Sequence, residues 1–223
     1  RDRSPSRGLG DVYKRQVISM VISLPNMRHI LILKQRRVSM KYNNTKIVNA
    51  FAGPGAGKTT ACLEIVSQLK MRGKSAEYVP EYAKELVWDE RTQLLDGSLM
   101  NQLTILCEQY KRIKRLFHKV DYIVTDSPLW LNLLYYRYSS YKQRNVYMDL
   151  LQDIEILKNQ YNWNFFIKRD LSSFEQNGRV QNLNESIKID KEIYQFLVSN
   201  NIPFTEYTHS NIQTAVEDIL RIK

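Results

Sequence analysis

Only two of the 223 residues are cysteine, Cys62 and Cys107. They lack the paired spacing of a zinc site or a disulfide framework. Both fall in stretches with helical patterning, where a free thiol acts as a small buried hydrophobe. This usage points to a reducing, cytoplasmic setting. Long hydrophobic runs are missing too: the apolar stretch 17–24 stops at Pro25, and Arg28 and His29 separate it from 30–33. A bilayer helix needs about 20 consecutive apolar residues. No signal-peptide cleavage pattern, internal repeat or low-complexity tract is visible. Glycine is scarce at eight residues, yet three of them fall within five positions, 53 to 57.

The formal net charge of +10 first suggests a polyanionic partner, but its distribution weakens that reading. Residues 1–39 carry nine Lys/Arg against two Asp/Glu, so the remaining 184 residues are left with a modest excess of +3. A nucleic-acid binder needs its basic stripe on the folded domain. The opening RDRSPSRGLGDVYKRQ has no initiator Met and no apolar periodicity, and it resembles translated adaptor sequence. Residues 1–39 are therefore expected to be a non-native or disordered tail. Met40 is the expected, economical start of a single domain, 40–223, with Met20 and Met27 as alternatives.

From Lys46 onward, short apolar runs alternate with helical patterns, the signature of a parallel sheet covered by helices. Strands are expected at 47–51, 76–79, 122–125, 163–167 and 204–207. Helices are expected near 58–72, 82–90, 99–118, 145–160, 186–200 and 211–222. In the third helix, Leu103, Leu106, Tyr110, Ile113 and Phe117 recur at spacings of three and four and form a core stripe. Lys111, Arg112, Lys114 and Arg115 lie on the other side, as a solvated face or a phosphate contact. The polar segment 170–185 reads as a loop of lid length.

Ala52-Gly53-Pro54-Gly55-Ala56-Gly57-Lys58-Thr59-Thr60 follows a β-branched strand and opens a helix, the context a Walker A phosphate loop requires. Small residues let successive backbone N–H groups converge on an anion, and the helix N-terminus adds positive potential. Lys58 is placed to reach the β- and γ-phosphates of ATP, and the Thr59 hydroxyl to ligate Mg²⁺. Ala52 replaces the usual first glycine, a substitution that costs little in an extended backbone.

A second phosphate-site element closes the third strand at Asp126-Ser127-Pro128. Asp126 suits a Walker B carboxylate holding Mg²⁺ directly or through water, or else a turn cap. Ser127 stands where motor ATPases carry the glutamate that orients an attacking water. Its presence favours transfer to a bound acceptor over rapid hydrolysis. After the second strand, Val79-Pro80-Glu81-Tyr82-Ala83-Lys84 faces the crevice of such a sheet. Glu81 is either the carboxylate that orients or deprotonates an acceptor hydroxyl or a first-turn helix acid.

Taken in order, GPGAGKTT, VPEYAKEL, TDSPL and NGR followed by a helix bearing Ile189-Asp190 resemble the P-loop AAA/kinase family that includes the ribosylnicotinamide kinase domain of NadR. The likeness spans about residues 46–222. It implies an α/β P-loop NTPase fold of nucleoside- or nucleotide-kinase type, with a parallel five-stranded sheet flanked by helices. It also implies an acceptor near Glu81 and Arg179 in a lid over the phosphates, with Arg169 as a second candidate arginine. Trp88, Tyr82, Trp130, Tyr135 and Tyr136 are either ring-stacking residues or core. The expectation is an ATP- and Mg²⁺-dependent kinase for a small nucleoside- or nucleotide-like acceptor. Neither nucleic acid nor membrane is expected as a partner. The alternative is a slowly hydrolysing nucleotide switch.

Overall fold

The computed structural model describes residues 45–136, 141–152, 154–170 and 181–221. The expected tail, 1–39, lies outside them. Five strands, β1 (Lys46–Phe51), β2 (Ala76–Val79), β3 (Tyr122–Thr125), β4 (Asn162–Ile167) and β5 (Thr205–Tyr207), form one sheet in the order β2-β3-β1-β4-β5. Every pairing is parallel. Between them run α1 (Lys58–Met71), α2 (Tyr82–Trp88), α3 (Leu99–Lys114), α4 (Leu131–Tyr135), α5 (Tyr141–Gln152), α6 (Leu183–Ser199) and α7 (Ile212–Arg221). No described helix is long and apolar enough to cross a membrane.

β1 is buried along nearly its whole length. Val48 and Ala50 point to one face and Ile47 and Phe51 to the other, so both faces require cover, as expected for a parallel sheet. On the first face, Ala61, Cys62, Ile65 and Leu69 of α1 and Ala215, Val216 and Ile219 of α7 pack with Val48, Val124 and Phe165 into one core. The polar Asn49 within β1 is satisfied by Asn162 Oδ1 at 2.7 Å and Asn164 Oδ1 at 2.9 Å. In α3 the expected stripe is buried at Leu103, Leu106, Tyr110 and Ile113, and Phe117 is buried beyond the helix end.

Several boundaries differ from expectation for identifiable reasons. The region expected to be one helix over 145–160 is α5 followed by two 3₁₀ turns, Glu155–Leu157 and Asn159–Tyr161. Ile154 is extended and buried, and Asn162 Nδ2 donates to the Ile156 and Lys158 carbonyls, both at 2.8 Å, which an α-helix would need for itself. α6 begins three residues earlier than expected because Asn182 and Glu185 form a reciprocal capping box. α3 ends at Lys114, four residues short, and the chain then reverses through His118 at positive φ. α4, too short to show periodicity, was not anticipated.

Candidate functional site

β1 and β3 are direct neighbours, so the loop after β1 and the turn after β3 open side by side at the carboxyl ends of the central strands. Crevices of this kind are where open α/β sheets bind ligands. The loop from Ala52 leads into α1 through Gly57, whose φ of 83° is left-handed and suits glycine. A Cβ at Gly57 would also collide with the His209 ring at Nε2. His209, in the turn after β5, meets the Ala56 carbonyl at 3.1 Å through that nitrogen; because a carbonyl only accepts, Nε2 carries the proton. Ala52 is fully buried and is not among the positive-φ residues, so the missing first glycine costs no backbone strain.

Lys58 arches back over the loop and donates to the Ala52 and Gly53 carbonyls at 2.9 and 3.1 Å. The Thr59 hydroxyl donates to Asp126 Oδ2 at 2.6 Å, and the Tyr78 hydroxyl, on β2, donates to the same oxygen at 2.7 Å. Asp126 is 2% exposed, and its Oδ1 has no hydrogen-bond partner among the described residues. Burial, then the charge of Asp126, push the Tyr78 hydroxyl well above its ordinary range and hold it as a donor. Burial likewise pushes up the Cys62 thiol, which stays protonated and inert.

Glu81 stands at the N-cap of α2 with extended backbone, φ −69° and ψ 117°, and makes no side-chain cap hydrogen bond. The carboxylate is therefore not employed as a cap. Burial, and then the charges of Glu81, Asp190 and Glu192, raise the Tyr135 hydroxyl well above its ordinary range. Arg169, just after β4, is not a lid residue: Nε donates to Asp190 Oδ2 at 2.6 Å and Nη2 to the Pro54 carbonyl at 2.7 Å. Asp190 Oδ1 in turn accepts the Gly53 N–H at 2.5 Å. Arg179 lies outside the described residues.

A model described as an AAA domain matches residues 48–214. This chain belongs to that AAA-domain family. Among curated proteins, no sequence matches it. Among solved structures it is similar to deoxyadenosine kinase from M. mycoides with bound dATP, with a TM-score of 0.52 and 17% identity, covering 78% of this chain and 97% of that one. At that identity the likeness concerns the fold, a P-loop nucleoside-kinase type with a parallel five-stranded sheet flanked by helices. A second structure, described as the crystal structure of APE1195, aligns with a TM-score of 0.39 and 18% identity over 79% of this chain and 93% of that one.

In this AAA-domain protein the loop, Lys58, Thr59 and Asp126 form one cluster, with Glu81 on the adjacent β2–α2 turn. The donor set suits Mg²⁺: a threonine hydroxyl and a buried carboxylate with one oxygen lacking a partner are hard oxygen ligands. No group of three or more His, Cys, Asp or Glu able to hold a metal occurs among the described residues. Phosphate and water would complete the coordination, as is usual for Mg²⁺. The basic face of α3 is engaged elsewhere: Lys111 pairs with Glu108, Arg112 with Glu85 and Lys114 with Glu155. Of the aromatic candidates, Trp88 is 62% exposed, and Tyr136 packs on Tyr147 at 5.0 Å. Sequence reasoning missed Tyr78, Asp190's link to the loop, His209 and the buried Gln109. Only Asp190 carried a signal, as part of the family resemblance.

Proposed function

We propose that this AAA-domain protein is an ATP- and Mg²⁺-dependent kinase acting on a small nucleoside- or nucleotide-like acceptor. The observation that carries the reading is the Thr59–Asp126–Tyr78 cluster beside the phosphate loop, followed by a serine. Ser127 is largely buried and its N–H is tied to Thr125 Oγ1 at 3.1 Å, so the position after the metal-side acid offers no base for water. Mg²⁺ held by Thr59 and Asp126 would supply charge neutralisation at the phosphates. Lys58, released from its own loop carbonyls, would reach the β- and γ-phosphates. The Gly55 to Thr60 backbone would cradle the polyphosphate. Glu81 would orient or deprotonate the acceptor hydroxyl.

Arg169 is tied to the loop through the Pro54 carbonyl, and Arg179 is the remaining candidate for a lid arginine. The order of motifs supports a relation to the ribosylnicotinamide kinase domain of NadR, and the reducing-compartment composition supports a cytoplasmic setting. The deciding experiment measures ADP release with ATP and Mg²⁺ across a nucleoside and nucleotide panel including deoxyadenosine and nicotinamide riboside. A kinase shows strong, saturable stimulation by one acceptor class, with matching phosphorylated product. ADP release indifferent to every acceptor would instead fit a slow nucleotide switch.

A further inference from the structure

We infer that Gln109 is a positioning residue that sets the acceptor-side acid Glu81 relative to the metal-side acid Asp126; the inference rests on the acceptor role proposed for Glu81. Gln109 lies on α3 and is fully buried. The adjoining apolar positions, Leu106, Tyr110 and Ile113, are buried as well, so a hydrophobe here would simply extend the core. A buried amide is costly unless its groups are paired. The groups that pair it belong to the peptide units flanking Glu81. Gln109 Oε1 accepts the Tyr82 N–H at 3.0 Å, and Nε2 donates to the Pro80 carbonyl at 3.2 Å.

The same amide reaches the other acid. Gln109 Nε2 lies 3.4 Å from Thr125 Oγ1, the residue before Asp126. That hydroxyl donates to the Val79 carbonyl at 3.0 Å and accepts the Ser127 N–H at 3.1 Å. Val79 and Thr125 are paired in the sheet, so the two strand ends start in register. Gln109 and Thr125 then carry that register beyond the strands, where ladder hydrogen bonds no longer hold the chain. One turn along α3, Arg112 grips Glu85 through its two terminal guanidinium nitrogens and lies over the Tyr82 ring at 4.9 Å. The start of α2 is thereby fixed to the same helix.

Phosphoryl transfer needs the acceptor oxygen held in line at roughly 3–3.5 Å, and a displacement near 1 Å costs on the order of 10²-fold. Acceptor-free hydrolysis does not use Glu81 and is insensitive to that placement.

The test compares wild type, Gln109→Met, Thr125→Val and Glu81→Gln in the full chain, with ATP, Mg²⁺ and the nucleoside panel. Gln109→Met is expected to lower kcat for acceptor-dependent transfer by about 10- to 100-fold, leaving ATP affinity and acceptor-free ADP release nearly unchanged. Thr125→Val, which keeps the core shape, is expected to shift the ratio the same way. Hydrogen exchange at the Tyr82 amide reads the grip without any acceptor, and its protection should fall in Gln109→Met. Equal loss of transfer and hydrolysis, intact transfer, or unchanged Tyr82 protection would each overturn the inference. If Glu81→Gln slows transfer and Gln109→Met does not, only the positioning role falls. If Glu81→Gln transfers at the wild-type rate, the acceptor reading falls and takes this inference with it.

Discussion

Arg169 and Asp190 form an ion pair at 2.6 Å whose members both rest on the phosphate loop, Arg169 on the Pro54 carbonyl and Asp190 on the Gly53 N–H. Their side chains are only 5% and 14% exposed. Through Asp190, α6 is thus joined to the loop by charge. It also explains Gly53, where a Cβ would lie 2.6 Å from the Ser186 carbonyl and 2.8 Å from Asp190 Oδ1.

That arrangement gives a stability prediction. Removing one member of a buried pair takes away the main compensation of the other charge, at a typical cost of about 3–5 kcal/mol. Asp190→Ala is expected to lose stability on that scale in urea unfolding. Replacing both residues, as Arg169→Met with Asp190→Leu, should cost much less than the sum of the single changes. Additive losses would show that the pair does not act as a unit.

Lys58→Ala is expected to weaken binding of ATP with Mg²⁺ by at least tenfold while unfolding at nearly the wild-type midpoint. Among the described residues the side chain hydrogen-bonds only the Ala52 and Gly53 carbonyls, so it adds little to the core. Calorimetric titration and a thermal melt check the two halves. Undiminished affinity in the folded variant would remove Lys58 from the site.

The phosphate loop was legible in the sequence because its chemistry is contiguous: strand, small residues, lysine and threonine occupy adjacent positions. Asp126 was legible for the same reason, since a short apolar strand ending in an acid is a local pattern. Tyr78 and Gln109 were not. Each acts through a partner brought close only by the parallel register of β2 and β3 or by the packing of α3, and an isolated Tyr in a strand or Gln in an amphipathic helix carries no mark of its partner. The break after α5 was hidden similarly, because it depends on Asn162 capturing two carbonyls. Arg169 was noticed as a candidate for the lid, whereas its position depends on Asp190, supplied by the distant helix α6.

The Arg112–Glu85 pair predicts a pH dependence. Hydrogen bonds from Arg112 hold the Glu85 carboxyl below its ordinary value of 4.5. A depressed carboxyl pKa gives stability that is present above the unfolded value and lost as pH falls through the folded one. Glu85→Gln should therefore be less stable than wild type near pH 7, with the two curves converging as the pH falls below the ordinary carboxyl value and through the lowered folded one. Glu85 is 44% exposed on its side chain, so the neutral-pH difference is expected at about 0.5–1 kcal/mol. A difference independent of pH would assign the effect to packing instead of charge.

Glu81 and Asp126 are assigned to opposite sides of the transferred phosphoryl group, and that division makes the sharpest prediction. Asp126 accepts from Thr59 and Tyr78 on one oxygen, and its other oxygen has no hydrogen-bond partner among the described residues, which suits it to the proposed Mg²⁺. Asp126→Asn should therefore impair every Mg²⁺-dependent reaction of the nucleotide, including slow acceptor-free hydrolysis, because metal charge stabilises the phosphates whatever attacks them. Under the proposed division Glu81 would take no part in holding the nucleotide. Glu81→Gln is expected to spare ATP binding and acceptor-free hydrolysis while reducing acceptor-dependent transfer by roughly 10²- to 10⁴-fold, the usual range for loss of a general base. Rates of ADP release with and without acceptor, measured on both variants at saturating ATP and varied Mg²⁺, separate the two roles. Excess Mg²⁺ should partly restore Asp126→Asn by mass action and do nothing for Glu81→Gln. Equal damage to both reactions in both variants would contradict the division and leave Glu81 as a structural residue of the α2 turn.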